Sequence, residues 1–201
     1  MADARPRQPQ QLVLASQSPR RADLLRSIGL TFDVVPADID ETRRHDEPAV
    51  EYVERLAREK AERIAARRTD AVVLAADTCV AIDDDVLGKP ADHDEARTML
   101  QRLSGRDHLV HTGVAVGSHH RIETGVATTS VSFNDLDTAT IDWYLATGEA
   151  FDKAGGYAMQ SFGGVFVRAI HGSPSNVVGL PLHLVTALAR DLGVDLAQFR
   201  G

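Results

Sequence analysis

Short apolar runs alternate with longer amphipathic stretches along the chain, and this alternation predicts an α/β protein. Residues 71–76 form a continuous apolar run, which is typical of a strand buried on both faces, and residues 79–82 continue it past two polar residues. The other predicted strands cover residues 11–15, 31–36, 109–116, 124–133 and 165–167, and the predicted helices cover residues 19–28, 49–68, 94–103, 138–147 and a last segment from about residue 181. Short turns between neighbouring strands, such as residues 83–85, predict a mixed sheet.

Length and composition predict an ordinary globular protein. With 201 residues, 43% of them hydrophobic, we expect a single two-lobed domain over residues 11–201 after a disordered polar tail at residues 1–10. No apolar run approaches the roughly 20 residues of a membrane span, and no export signal is visible. Together with a single cysteine, this predicts a cytoplasmic protein that binds no membrane.

The net charge of -7 argues against nucleic-acid binding, which depends on basic surface meeting phosphate. A polyanionic ligand must therefore be held by a local basic cluster or through a metal ion. The apolar neighbours of Cys79 predict a packed thiol rather than a nucleophile.

Two arginines stand at the start of the first predicted helix. Ser18 and Pro19 form a favourable helix start, because a serine side chain can cap a free backbone N–H and proline fits the first helical position. Arg20 and Arg21 follow in the first turn, where the helix dipole disfavours each cation by about 0.3–1 kcal/mol unless an anion is bound. A phosphate group would reverse that sign. The pair is therefore either a phosphate site or a solvent-exposed basic turn.

Three further charged residues stand where packing alone does not explain them. Lys60 falls within the apolar stripe of its helix, so its ammonium either reaches out to solvent or points into a cleft. Asp77 directly follows six apolar residues and is either a turn residue or a functional group at a strand end, where ligands gather in α/β folds. Lys89 is either a cation held on a rigid loop by Pro90 or part of a surface turn. Two arginines, two lysines and a carboxylate are together the residue types needed to bind a triphosphate and activate water.

Other polar residues are more ambiguous. Four of the eight histidines lie close together, at His108, His111, His119 and His120. Their spacing does not suit a zinc site, and we interpret them as polar surface, with the first two on different faces of a strand. Gln160 is either an ordinary loop glutamine or an amide that reads a base edge.

The ordered motifs resemble the Maf family of nucleoside triphosphate pyrophosphatases over residues 12–182. The motifs are LASQSPRR at 14–21, LAREKA at 56–61, AADT at 75–78, LGKP at 87–90, LSG at 103–105, GEAFDKAGGYAMQ at 148–160 and VVGLPL at 177–182. The resemblance implies a strongly curved mixed sheet with flanking helices and two lobes around a central cleft, similar to inosine triphosphate pyrophosphatase. It also implies a homodimer.

The resemblance implies a role for each residue that matches the family's motifs. Ser16, Arg20 and Arg21 match the phosphate-binding loop, and Lys60 and Lys89 match lysines of the cleft.

Two acidic residues match positions of the reaction centre. Asp77 matches the catalytic carboxylate, and Glu41 matches an acidic position that helps to place a divalent metal cation, Mg²⁺, Mn²⁺ or Co²⁺, together with Asp77. Arg20, Thr78 and Gln160 are similar to the substrate-binding residues of the branch that acts on dTTP and UTP.

The leading hypothesis is an enzyme that hydrolyses a nucleoside triphosphate to the monophosphate and pyrophosphate. The expected substrates are dTTP and UTP, with modified pyrimidine nucleotides as a further candidate class. Two alternatives stay open. One is a nucleotidyltransferase that joins a nucleotide to a second substrate. The other is a nucleotide-sensing regulator of septum formation or cell division.

Overall fold

A long buried strand in the middle of the chain organises the fold. The structure is a computed structural model that describes residues 11–83 and 85–201. The tail predicted for residues 1–10 lies outside the described residues. The strands are β1 Gln11–Leu14, β2 Asp33–Val34, β3 Ala71–Ile82, β4 Asp85–Leu87, β5 Asp107–Ser118, β6 Arg121–Phe133 and β7 Val167–His171. The helices are α1 Pro19–Ser27, α2 Ala49–Ala65, α3 His93–Leu103, α4 Thr138–Ala146, α5 Pro174–Val178 and α6 Leu182–Asp191.

The seven strands form one sheet in the order β2-β1-β3-β5-β6-β7, with β4 paired to β3. Strand β1 is parallel to both β2 and β3, and the other pairs are antiparallel. Antiparallel strands can follow one another through short turns, whereas parallel pairs need longer crossovers. The crossover from β1 to β2 contains α1, and the one from β2 to β3 contains α2. The predicted α/β class, with a mixed sheet and flanking helices, is confirmed. Its strong curvature and the two lobes stay predictions.

The two faces of β3 are covered by different helices. Its odd-numbered residues from Ala71 to Ala75 pack against α2, and its even-numbered residues from Val72 to Ala76 pack against α1 and α6. Side chains alternate along a strand, so Asp77 continues the row that faces α2 and Thr78 continues the row that faces α1. Two adjacent residues are thereby directed to two different helices.

Helix α2 lies close to the sheet beside Asp77. Gly113 on β5 pairs with Asp77, and a Cβ atom added there would meet the backbone oxygen of Val53 at 2.2 Å. Only glycine permits this approach without displacing α2. The same helix carries Lys60, so the close packing brings a lysine within reach of the carboxylate.

The first helix begins as predicted but is capped differently. Ser18 precedes Pro19 of α1, yet its side chain forms no capping hydrogen bond. Instead, the backbone N–H of Ser18 donates to Ser16 Oγ at 3.2 Å. Ser16 in the loop after β1 therefore accepts one backbone N–H just before the helix, that of Ser18, and α1 has no side-chain cap.

Two other predictions differ from the structure. Strand β3 runs unbroken through Asp77, so the expectation that Asp77 stands at a strand end is wrong. Pairing with β5 continues on both sides of it, which keeps the strand regular. The last strand, predicted at residues 165–167, is β7 at Val167–His171 and follows a 3-10 turn at Phe162–Phe166. Helix α5 was not predicted, because five residues show no helical periodicity.

Candidate active site

A cavity of about 760 Å³ lies beside the loop after β1, the start of α1 and the second half of β3. All nine residues predicted to act in binding or catalysis line it: Ser16, Arg20, Arg21, Glu41, Lys60, Asp77, Thr78, Lys89 and Gln160. The fold thus brings together side chains that are far apart in the sequence. The role of each residue stays a prediction.

Lys60 joins two carboxylates in the floor of the cavity. Its Nζ lies 2.6 Å from Asp77 Oδ1 and 2.6 Å from Glu41 Oε1. The side chains of Lys60 and Asp77 are only 7% and 12% exposed, and buried charges of this kind need such partners. Lys60 therefore points into the cleft, and the alternative that its ammonium reaches out to solvent is wrong.

The position of Glu41 depends on side chains of α2. The hydroxyl of Tyr52 donates to the backbone oxygen of Glu41 at 3.0 Å. Arg55 binds both carboxylate oxygens of Glu47, at 2.5 and 2.8 Å, and donates to the backbone oxygen of Thr42. The hydrogen bond from Arg55 lowers the pKa of Glu47 to about 2. The loop before α2 is thus fixed to the helix that carries Lys60.

Positive charge in the cavity keeps Glu41 ionised. Partial burial alone would raise the pKa of Glu41, but the hydrogen bond from Lys60 and the charges of Lys60, Lys89 and Arg21 outweigh it, so the pKa is lowered. An ionised carboxylate is the form that binds a cation.

Arg21 is held by neutral oxygens. Its Nε donates to the backbone oxygen of Gly179 at 2.8 Å, its Nη1 to Ser16 Oγ at 3.0 Å and its Nη2 to Thr78 Oγ1 at 3.0 Å. Burial lowers the pKa of Arg21, and the charge of Asp77 opposes this effect. Among the described residues it forms no ion pair. A guanidinium in such surroundings favours an anionic ligand.

Arg20 pairs with a carboxylate that sequence reasoning missed. Its Nη1 lies 3.0 Å from Asp152 Oδ2, and Lys153 contacts the other oxygen of the same carboxylate. Lys153 also donates to the backbone oxygen of Glu149 at 2.6 Å, and both Asp152 and Lys153 line the cavity. The only sequence signal was their place in the motif at residues 148–160, where no periodicity set them apart.

Lys89 and Gln160 are exposed to the cavity from its rim. Neither side chain forms a hydrogen bond or an ion pair with any residue that the structure describes. Both are therefore free to contact a ligand, although a surface position explains them equally well.

Two of the four neighbouring histidines are buried, so their interpretation as polar surface is wrong for them. His108 and His111 are 2% and 6% exposed and lie on opposite faces of β5, because they are three positions apart on a strand whose side chains alternate. Burial lowers the pKa of His108 to about 4, and its Nε2 lies 2.8 Å from the hydroxyl of Tyr157. His119 and His120 are exposed in the turn after β5, as predicted.

Cys79 follows the cavity residues on β3. Burial raises the pKa of its thiol to about 12, which agrees with a packed thiol. Within residues 11–83 and 85–201, no three His, Cys, Asp or Glu side chains form a group that could hold a metal ion by itself. No helix in those ranges has the length and apolarity to cross a membrane.

Comparisons with known proteins agree with the family resemblance. The family described as Maf-like protein matches residues 11–192. A dTTP/UTP pyrophosphatase of Syntrophus aciditrophicus is 49% identical over 186 residues, which cover 92% of this chain and 91% of the relative. A dTTP/UTP pyrophosphatase of Myxococcus xanthus is 52% identical over 185 residues, covering 92% and 94%.

Among solved structures, the Ham1 protein of Staphylococcus aureus matches with a TM-score of 0.47 and 16% identity, covering 63% of this chain and 73% of that chain.

Proposed function

This chain belongs to the Maf family, and we propose that it hydrolyses dTTP and UTP to the nucleoside monophosphate and pyrophosphate. Relatives that are about half identical over nearly the whole chain are named dTTP/UTP pyrophosphatases. The observation that carries the proposal is the arrangement of charges in the cavity. Two carboxylates meet at Lys60, and the same cavity is lined by Arg20, Arg21 and Lys89.

The cationic residues bind the triphosphate. Arg21 and the free N–H groups at the start of α1 hold phosphate oxygens, because the helix dipole and the guanidinium both favour negative charge there. Lys89 binds a further phosphate and stabilises the charge that develops on the leaving pyrophosphate. Cations that already face the cavity need little rearrangement during the reaction.

Asp77 orients and deprotonates the attacking water. Its Oδ1 accepts the hydrogen bond from Lys60, while Oδ2 has no partner among the described residues and can accept a proton. Lys60 holds this carboxylate in place. The water attacks the α-phosphorus, the bond to the bridging oxygen of the β-phosphate breaks, and pyrophosphate leaves.

A divalent cation fits the carboxylates of Glu41 and Asp77. Both contact the same atom, Lys60 Nζ, so they face one region of the cavity in which a cation would be held. Mg²⁺ commonly uses one or two carboxylates and completes its shell with substrate phosphates and water, so a site that offers two carboxylates, with no group of three acidic, histidine or cysteine ligands among the described residues, suits it. Bound Mg²⁺, Mn²⁺ or Co²⁺ would supply positive charge to the triphosphate.

The base contacts the rim of the cavity. Gln160 offers a donor and an acceptor to the edge of a pyrimidine, and Arg20 limits the space beside it. We also expect a cytoplasmic homodimer that binds neither nucleic acid nor membrane. Light scattering coupled to size-exclusion chromatography tests the dimer.

The experiment compares wild type, Asp77→Asn and Asp142→Asn with UTP and dTTP, and it measures pyrophosphate and orthophosphate separately. Asp142 is an exposed aspartate of α4 outside the cavity and serves as the matched control. We expect pyrophosphate as first product, and a loss of about 100-fold or more in turnover for Asp77→Asn alone.

Three results would contradict the proposal. Orthophosphate as the first product moves the cleavage to the γ-phosphate. A requirement for an acceptor molecule indicates a nucleotidyltransferase, and tight binding without turnover with any of the three metals indicates a nucleotide sensor.

A further inference from the structure

The hydroxyl of Thr78 is engaged on both sides by protein groups. Its Oγ1 accepts a hydrogen bond from Arg21 Nη2 at 3.0 Å and lies 2.9 Å from Thr112 Oγ1. Thr78 and Thr112 stand opposite each other on β3 and β5, so their side chains share the face that is turned toward α1. Side-chain contact across this pair follows from the strand register.

The direction of the hydrogen bonds is fixed by the next group along. Thr112 Oγ1 donates its only proton to the backbone oxygen of Asn176 at 3.2 Å. With that proton used, Thr112 accepts from Thr78 at 2.9 Å. The opposite direction would leave the Thr78 proton only the oxygen of Gly179, at the limiting distance of 3.5 Å, so we infer the first arrangement. The chain of donors runs from Arg21 through Thr78 and Thr112 to Asn176.

The far end of this series of hydrogen bonds, at Asn176, is held rigidly. Asn176 is fully buried, and its Nδ2 donates to the backbone oxygen of Val110 and to Thr129 Oγ1, both at 2.9 Å. Thr112 is also fully buried. The guanidinium at the cavity is thus connected to a fixed part of the sheet through two hydroxyl groups.

The arrangement leaves Arg21 with donors for a ligand. A guanidinium has five N–H groups, and three of these donate to Gly179, Ser16 and Thr78. Two N–H groups therefore remain to donate to a ligand. The hydroxyl of Thr78, by contrast, has used its proton on Thr112 and accepts from Arg21. It has no donor left for a nucleotide base.

We propose that Thr78 acts on the nucleotide through Arg21 instead of reading the base, and that Thr112 is a second positioning residue for the same guanidinium. The inference rests on the proposed function, because it deepens the account of how the triphosphate is held. In this account the hydroxyl of Thr78 matters for phosphate binding, because it positions Arg21. The resemblance alone associates Thr78 with the choice of substrate.

Inorganic tripolyphosphate separates the two roles, since it carries the phosphates without a base. The experiment measures its binding by calorimetry in the presence of magnesium, and kcat/KM for UTP and CTP, in Thr78→Val and Thr112→Val. We expect tripolyphosphate binding to weaken about fivefold in each variant, which corresponds to the loss of one neutral hydrogen bond. The ratio of kcat/KM for UTP to that for CTP stays as in wild type.

Conservative variants and a variant of another buried hydroxyl distinguish the positioning of Arg21 from a general loss of packing. Thr78→Ser and Thr112→Ser keep the hydroxyl and are expected to restore tripolyphosphate binding. Ser132→Ala removes a buried hydroxyl of β6 that forms no hydrogen bond with Arg21, Thr78, Thr112 or Asn176, so it should leave tripolyphosphate binding unchanged.

Two results would overturn the inference. One is a changed UTP to CTP ratio with unchanged tripolyphosphate binding, which makes Thr78 a reader of the base. The other is equal weakening in Ser132→Ala, which makes the effect a loss of packing. Failure of the proposed function has a different signature: wild type would bind tripolyphosphate yet release no pyrophosphate from any nucleotide.

Discussion

Replacing Lys60 by methionine removes the ammonium between two carboxylates and keeps much of the side-chain volume. Its Nζ lies 2.6 Å from Asp77 Oδ1 and from Glu41 Oε1. At an effective dielectric constant of about 20, each contact corresponds to roughly 6 kcal/mol of attraction, which desolvation largely offsets. Removing one partner of a buried pair costs about 3–5 kcal/mol. We expect about 3 kcal/mol, because water can reach Glu41, which is 49% exposed.

Urea unfolding followed by circular dichroism measures this loss. Lys89→Met is the matched control, since Lys89 is exposed and has no ion-pair partner among the described residues, and it should change the free energy of unfolding by less than about 0.5 kcal/mol. Combining Lys60→Met with Asp77→Asn removes both partners, so the double variant should recover about 1–3 kcal/mol relative to additivity. A loss below about 0.5 kcal/mol in Lys60→Met, or strict additivity, would refute the reasoning.

Three other predictions concern His108, Tyr52 and Cys79. Burial lowers the pKa of His108 from 6.5 to about 4, so only the unfolded chain binds this proton between those values. The free energy of unfolding therefore falls by about 3 kcal/mol as the pH drops through that range, and His108→Gln flattens this part of the urea-derived curve. Tyr52→Phe releases the backbone of Glu41 and raises the Mg²⁺ concentration for half-maximal activity about fivefold, with an unchanged melting temperature as control. Cys79 in the folded protein resists iodoacetamide at about pH 8 and reacts once urea unfolds the chain.

Each of these has a contrary result. His108→Gln with the same pH dependence as wild type would mean that this histidine is accessible to protons. An unchanged Mg²⁺ requirement in Tyr52→Phe would mean that the backbone position of Glu41 does not affect metal binding. Rapid alkylation of folded Cys79 would mean that the thiol is exposed.

Much of the fold could be predicted because the periodicities are clear. The apolar run of β3 and the amphipathic stripe of α2 identify a buried strand and the helix that covers it. The place of Asp77 inside β3 could not be predicted, because Asp77 is stabilised within the strand by Lys60, a partner on another element. Short elements such as α5 are determined by local hydrogen bonds and give no periodic signal.

The candidate site was predictable only as a set of residue types. Arg21 at a helix start and Lys60 in an apolar stripe each break a local rule, and such conflicts indicate function. The register that puts Thr112 opposite Thr78 depends on the pairing of β3 with β5, which neither strand's sequence determines alone. Burial of His108 was missed for the same reason, because it depends on Tyr157 and Phe133 from other parts of the chain.

The central claim is that water, oriented by Asp77, attacks the α-phosphorus of a pyrimidine nucleoside triphosphate. Hydrolysis of UTP in water enriched in oxygen-18, followed by mass spectrometry of both products, tests it most directly. The account predicts one labelled oxygen in UMP and none in pyrophosphate. Label in pyrophosphate with unlabelled UMP, or labelled orthophosphate as the first product, would contradict it.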